Sequence, residues 1–135
     1  MYQKFDHGAD IGIRGIGKTV EEAFAEAAKA MFDVMVDIGN VQTKKEVKIT
    51  TKAENKEELL IEFLNKLLSE ADLKNMVFSE FKVLIEYNKL TAIAIGEKLN
   101  PKKHNIKTEV KAATYSMLKI GQENNNYFAQ CVIDV

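Results

Sequence analysis

The order of apolar periodicities along the chain constrains its fold more than any single motif. Residues 2–5 and 9–14 read as strands; in the second, Ile11 and Ile13 face one way and Asp10, Gly12 and Arg14 the other. Gly15 and Gly17 break that pattern. A 3.6-residue period then aligns Val20, Ala23, Phe24, Ala27, Ala28, Met31, Phe32 and Met35, predicting a helix over 20–37. Thr19 with Glu22 forms its capping box, and Gly39 stands where a C-terminal stop is expected. Residues 46–52 alternate again. Asn55 with Glu58 opens a second helical stripe of Leu59, Leu60, Phe63, Leu64, Leu67 and Leu68, ending near Asp72. Only strand signals follow. Phe81, Val83, Ile85 and Tyr87 alternate, turn at Asn88-Lys89 and return over 90–95 as a hairpin. A polar loop over 96–105 leads to one long strand over 108–120, bulged near Ala112-Ala113. After a turn over 121–126, residues 127–135 form the last strand.

Strands and helices do not alternate regularly, which argues against a parallel βαβ sheet. The pattern predicts a single α+β domain over residues 1–135, with two helices packed on one face of a largely antiparallel sheet. A length of 135 residues suits one core, and the only proline, Pro101, marks no linker. Charges balance at 19 basic against 20 acidic residues, so no global field points to nucleic acid or membrane. Arg14 is the only arginine, so sequence-specific nucleic-acid contact is not expected. A lone Cys131 forms no internal disulfide, and with His7 and His104 it falls short of a zinc ligand set. No signal peptide or apolar span is evident, so a cytoplasmic, soluble protein is expected.

Three groups of residues could carry chemistry. Gly12-Ile13-Arg14-Gly15-Ile16-Gly17-Lys18-Thr19 matches the phosphate-binding P-loop pattern between a strand and a helix. Gly12, however, belongs to the strand pattern, and Thr19 is better used as a cap. The competing reading is a glycine-rich strand-to-helix turn. At the C-terminus, Asp134 precedes the α-carboxylate of Val135. If Asp10 neighbours them in the sheet, three hard oxygen donors converge where calcium or magnesium would neutralise them. The alternative is a frayed, solvated terminus. Glu97, His104, Glu109 and Lys111 cluster around one loop and strand, which reads equally well as a polar rim.

His7-Gly8-Ala9-Asp10, Ile11-Gly12-Ile13-Arg14, Gly17-Lys18-Thr19 and Glu22-Ala23-Phe24 resemble the opening of the archease family. Leu59-Leu60, Phe63-Leu64-Asn65 and Leu67-Leu68 are similar to its second helix. Gly96-Glu97, His104, Glu109-Val110-Lys111-Ala112, Thr114-Tyr115 and Ile133-Asp134-Val135 complete the likeness. Gly8 and Ser116 depart from the usual threonine and histidine. The resemblance implies a non-enzymatic accessory protein of the GTP-dependent RNA ligase of tRNA splicing and RNA repair. Such a protein promotes guanylylation of the ligase's active-site histidine and multiple turnover. It further implies a divalent cation, usually calcium with magnesium the alternative, held by Asp10, Asp134 and Val135. Candidate partner contacts are His7, Glu97, His104 and Lys111. A second implied role is that of chaperone or specificity modulator for a tRNA cytosine methyltransferase. The P-loop reading, which makes Lys18 a nucleotide ligand, is the least favoured.

Overall fold

The computed structural model describes residues 1–135. Strands β1 (Tyr2–His7) and β2 (Asp10–Gly17) form a hairpin that leads into helix α1 (Val20–Met35). Strand β3 (Lys45–Lys52) and helix α2 (Lys56–Lys74) follow. Strands β4 (Met76–Glu86) and β5 (Lys89–Lys98) make a second hairpin, and a single helical turn α3 (Pro101–His104) follows. The chain closes with β6 (Ala112–Ala113), β7 (Lys119–Glu123) and β8 (Asn126–Asp134). No helix is long and apolar enough to cross a membrane.

All strand pairs are antiparallel, in the α+β class expected, and they divide between two sheets. One has the order β1-β2-β8-β6 with β7 also on β8; the other has the order β3-β5-β4. Each helix touches both sheets: α1 lies on β2, β8 and β4, and α2 on β3, β4, β5, β6 and β7. That explains why α1 buries Ala25, Ala30 and Val34 beyond its predicted stripe. Phe24 stacks on Phe63 across the helices, and Phe32 packs on Phe78 and Phe81 of β4.

Both capping signals form as predicted. Thr19 Oγ1 accepts the Glu22 N–H at 3.1 Å, and Glu22 Oε2 accepts the Lys18 N–H at 2.6 Å. Helix α1 stops at Met35, ahead of Gly39, because Asp37 caps a separate 3₁₀ turn over Ile38–Asn40. The expected long strand over 108–120 is broken. Val110 and Ala113 are both buried, and a spacing of three cannot place both on one face of a regular strand. The chain then turns over 115–118 with Met117 at positive φ.

Helix α1 sits unusually close to β2. A Cβ at Gly15 would lie 2.0 Å from the Ala23 carbonyl oxygen and 2.2 Å from the Ala27 nitrogen, both backbone atoms that cannot swing aside. Gly15→Ala is therefore expected to lower stability by about 1–3 kcal/mol through overpacking. The midpoint of urea unfolding measures it, and an unchanged midpoint would contradict this close approach.

Candidate functional site

The β1–β2 turn consists of Gly8 and Ala9, with Gly8 at a φ of +61° that a side chain would strain. It pairs His7 with Asp10. Across β2, the ladder with β8 runs in register from Gly17–Tyr127 to Ile11–Ile133, so one further step sets Asp10 opposite Asp134. Directly opposed residues share a face, with Cβ atoms about 4.5–5.5 Å apart. The Val135 N–H donates to Asp10 Oδ1 at 3.3 Å, closing the end of the ladder.

The far edge of β8 is held as well. Ala112 pairs with Asp134, and the Lys111 N–H donates to the Asp134 carbonyl at 2.8 Å. Asn65 of α2 grips Ala113 twice, accepting its N–H at 2.8 Å and donating to its carbonyl at 3.2 Å. Thr114 Oγ1 donates to the Val132 carbonyl at 2.8 Å. Ile133 is fully buried, and Asp134 and Val135 are half-buried. The alternative of a frayed terminus therefore does not describe this strand. Asn65, a polar residue on the apolar stripe of α2, acts in positioning the acidic end; its place among leucines was the available signal.

The donors gathered here are hard oxygens, which suit calcium or magnesium better than zinc or copper. Nowhere in the chain do three or more His, Cys, Asp or Glu side chains form a metal-holding group. Asp10 and Asp134 supply two side-chain ligands at most, and main-chain oxygen of Val135 and water would have to complete a shell. His7 is exposed beside Asp10, and Lys111 is exposed beside Asp134.

Glu97 and His104 lie elsewhere, at the end of β5 in the three-stranded sheet and on α3. His104 has no exposed surface and Glu97 is 7% exposed, so neither forms the polar rim that the sequence suggested. His104 Nδ1 accepts the Asn100 N–H at 2.9 Å, which leaves the ring proton on Nε2 for Glu97 Oε2, also 2.9 Å away. Glu97 further accepts the Gln42 N–H at 2.7 Å and the Lys103 ammonium at 2.8 Å. The Gln42 amide, then Lys103 and His104, hold the Glu97 carboxyl down at about 2 against desolvation that would raise it. The pair locks the loop after β5; as a contact with a partner, His104 is out of reach.

The P-loop-like string forms no loop. Gly12, Gly15 and Gly17 all lie in β2, paired by β8 as far as Gly17 and by β1 as far as Gly15, so their amides serve the ladders. Glu22 already occupies the Lys18 amide at the helix start. Lys18→Ala is expected to leave the unfolding midpoint unchanged within about 0.5 kcal/mol, and isothermal titration with GTP or ATP should give no heat for either form. Burial pushes the Cys131 thiol up to about 12, so it is a core residue rather than a nucleophile.

Sequence reasoning also missed a cluster on the outer face of the five-stranded sheet. Arg14 of β2 meets Gln130 of β8 and Glu123 of β7, with its guanidinium 3.9 Å above the Phe128 ring.

Comparison with known proteins agrees with this fold. The model of the Archease protein family (MTH1598/TM1083) matches residues 2–135. Protein archease of Pyrococcus furiosus is 43% identical over 140 residues, covering 100% of this chain and 99% of the relative. That of Sulfolobus acidocaldarius is 41% identical over 136 residues, covering 99% and 98%. The solution structure of Methanobacterium thermoautotrophicum protein 1598 superposes with a TM-score of 0.86 at 35% identity, covering 99% of this chain and 98% of that one. A Thermotoga maritima archease, described as a possible chaperone, shares the fold at a TM-score of 0.60 and 20% identity, covering 100% and 98%. A match that runs from the first strand to the last residue, with relatives above 40% identity along their whole length, makes this chain a member of the archease family.

Proposed function

We propose that this chain is an accessory protein of the GTP-dependent RNA ligase of tRNA splicing and RNA repair, working in the cytoplasm. It promotes guanylylation of the ligase's active-site histidine and multiple turnover, and it does so through a divalent cation, calcium or magnesium, at Asp10, Asp134 and Val135. The observation that carries the reading is the meeting of β2 and β8 at their acidic ends, where the Val135 N–H touches the Asp10 carboxylate. Family membership supports the accessory role.

Guanylylation is phosphoryl transfer, in which positioning and charge stabilisation dominate. A divalent ion, when bound, supplies positive charge against the phosphates. Asp10 and Asp134 hold their oxygens on a rigid ladder rather than on a loop, which keeps them oriented without prior ordering. The edge contacts from Lys111 and Asn65 keep Asp134 and Val135 at a defined depth, ready to meet a partner. His7 and Lys111 flank the acids as its contacts, and the chain itself performs no chemical step.

The test is guanylylation of the ligase with GTP, with and without this protein and with and without chelator. Stimulation that disappears with chelator and returns with calcium or magnesium is expected. Stimulation that persists fully in chelator refutes the cation, and none under any condition refutes the ligase. If the protein instead acted as chaperone of a tRNA cytosine methyltransferase, the acidic end would be dispensable while methyltransferase solubility depended on this protein.

A further inference from the structure

The three-stranded sheet has two outer strands, β3 and β4, on either side of β5. Their charges differ. Strand β3 carries Lys45, Lys48 and Lys52 against Glu46 alone, a lysine-rich edge of the kind that keeps other strands away. Over residues 80–86, β4 reads Glu-Phe-Lys-Val-Leu-Ile-Glu, with a single lysine and with Leu84 54% exposed. We propose that β4 is a self-recognition edge, pairing antiparallel with β4 of a second copy of this chain about a two-fold axis at Leu84. The pairing depends neither on the ligase nor on the cation.

The backbone of this edge is free to pair. Glu86 and Lys89 close the two-residue turn Tyr87-Asn88, and such a closing pair exchanges both of its backbone hydrogen bonds. Alternation then turns the N–H and C=O groups of Lys82, Leu84 and Glu86 toward β5, and those of Phe81, Val83 and Ile85 outward. Strand β4 has no second strand neighbour, and no backbone hydrogen bond outside the helices and sheets involves residues 80–86.

The side chains choose the register. With Leu84 opposite Leu84 of the second copy, each Lys82 stands opposite a Glu86, and each Val83 opposite an Ile85. The faces match. Lys82, Leu84 and Glu86 are exposed on the outer face, whereas Val83 and Ile85 are half-buried against the core on the helix side. Two opposite-charge pairs, one leucine pair and two pairs of β-branched residues therefore form together. The outward backbone groups of Val83 and Ile85 meet in the same register, so hydrogen bonding and side-chain pairing agree. Sliding one copy by two residues sets Glu80 opposite Glu86, or in the other direction leaves Lys82 opposite Asn88. A slip of one residue sets outer-face side chains against inner-face ones. A two-fold pair uses the same patch on both copies and stops at two. The acidic end lies in the other sheet, so the dimer carries two of them.

The experiment is sedimentation equilibrium of the full chain at concentrations up to about 1 mM. A reversible monomer–dimer equilibrium is expected, with amide shifts on dilution confined to the β4–β5 hairpin. Leu84→Lys sets like charges on the axis and should weaken dimerisation about tenfold or more, with the urea midpoint unchanged because the side chain is exposed. Lys82→Glu and Glu86→Lys should each weaken it by a similar factor, since each creates two like-charge pairs. Mixed together, these two variants should form heterodimers about as readily as the parent dimerises, because both pairs become opposite in charge. If Leu84→Lys lowers the urea midpoint, the two charge variants and their mixture decide alone. A chain that stays monomeric to about 1 mM, association that runs past two copies, a dimer indifferent to a folded Leu84→Lys, or a mixture that dimerises no better than its components overturns the proposal.

Discussion

Asp10→Ala and Asp134→Ala are each expected to reduce stimulation of ligase guanylylation to below about a tenth of the parent's, while the protein stays folded. Losing one carboxylate of two would remove half of the proposed side-chain ligands at the acidic end, and even outer-shell changes around a metal cost about 10–100-fold in affinity. The structural loss is small by comparison. Asp10 is half-buried and gives up a single 3.3 Å contact with the Val135 N–H, worth about 1 kcal/mol. Asp134 is half-buried, and its carbonyl bond to Lys111 belongs to the backbone and survives substitution. Asp10→Asn separates charge from hydrogen bonding, because an amide oxygen can still accept the Val135 N–H. Loss of stimulation in Asp10→Asn with an unchanged unfolding midpoint assigns the role to charge. Stimulation retained in all three variants refutes the acidic end as the working surface.

What the sequence could and could not reveal follows from contact range. Both helices were legible because their signals are local: Thr19 with Glu22, and Asn55 with Glu58, close their caps within a few residues. The division of the strands into two sheets was not, since it depends on which strand pairs with which. Residues 11 and 133 meet only through folding, so the nearness of Asp10 to Asp134 could be read from family likeness but not from spacing. Arg14 stood out as the one arginine, yet its partners Glu123 and Gln130 come from β7 and β8, more than 100 residues away. His104 was misplaced for the opposite reason. Its immediate neighbours, Lys103 and Asn105, are polar, and nothing local signals that the loop folds inward to bury the ring on Glu97.

That inward fold carries the other large expected effect. Glu97→Ala should destabilise the protein by about 2–4 kcal/mol at pH 7, the cost of leaving buried donors without an acceptor. The deletion strands the Gln42 N–H and the His104 Nε2–H without acceptors, and it leaves the Lys103 ammonium uncompensated. Glu97→Gln keeps the volume but sets an amide –NH₂ among donors, so it should cost somewhat less, about 2–3 kcal/mol. The pH dependence has a definite sign. The carboxyl titrates at about 2 in the folded chain against an ordinary 4.5. Its contribution to stability is thus complete above pH 4.5 and is lost as the pH falls toward 2. Urea unfolding at pH 7 and at pH 3 should show a steeper acid loss in the parent than in Glu97→Gln. Equal acid losses would mean that the carboxylate does not hold the loop. The loop matters beyond its own stability because it braces the end of α1. The Asp37 N–H donates to the His104 carbonyl at 3.1 Å, and the Lys107 N–H to the Met35 carbonyl at 2.9 Å. The chain runs on from Lys107 through the buried Val110 to Lys111, whose N–H donates to the Asp134 carbonyl, so the loop that Glu97 locks continues into one edge of the acidic end.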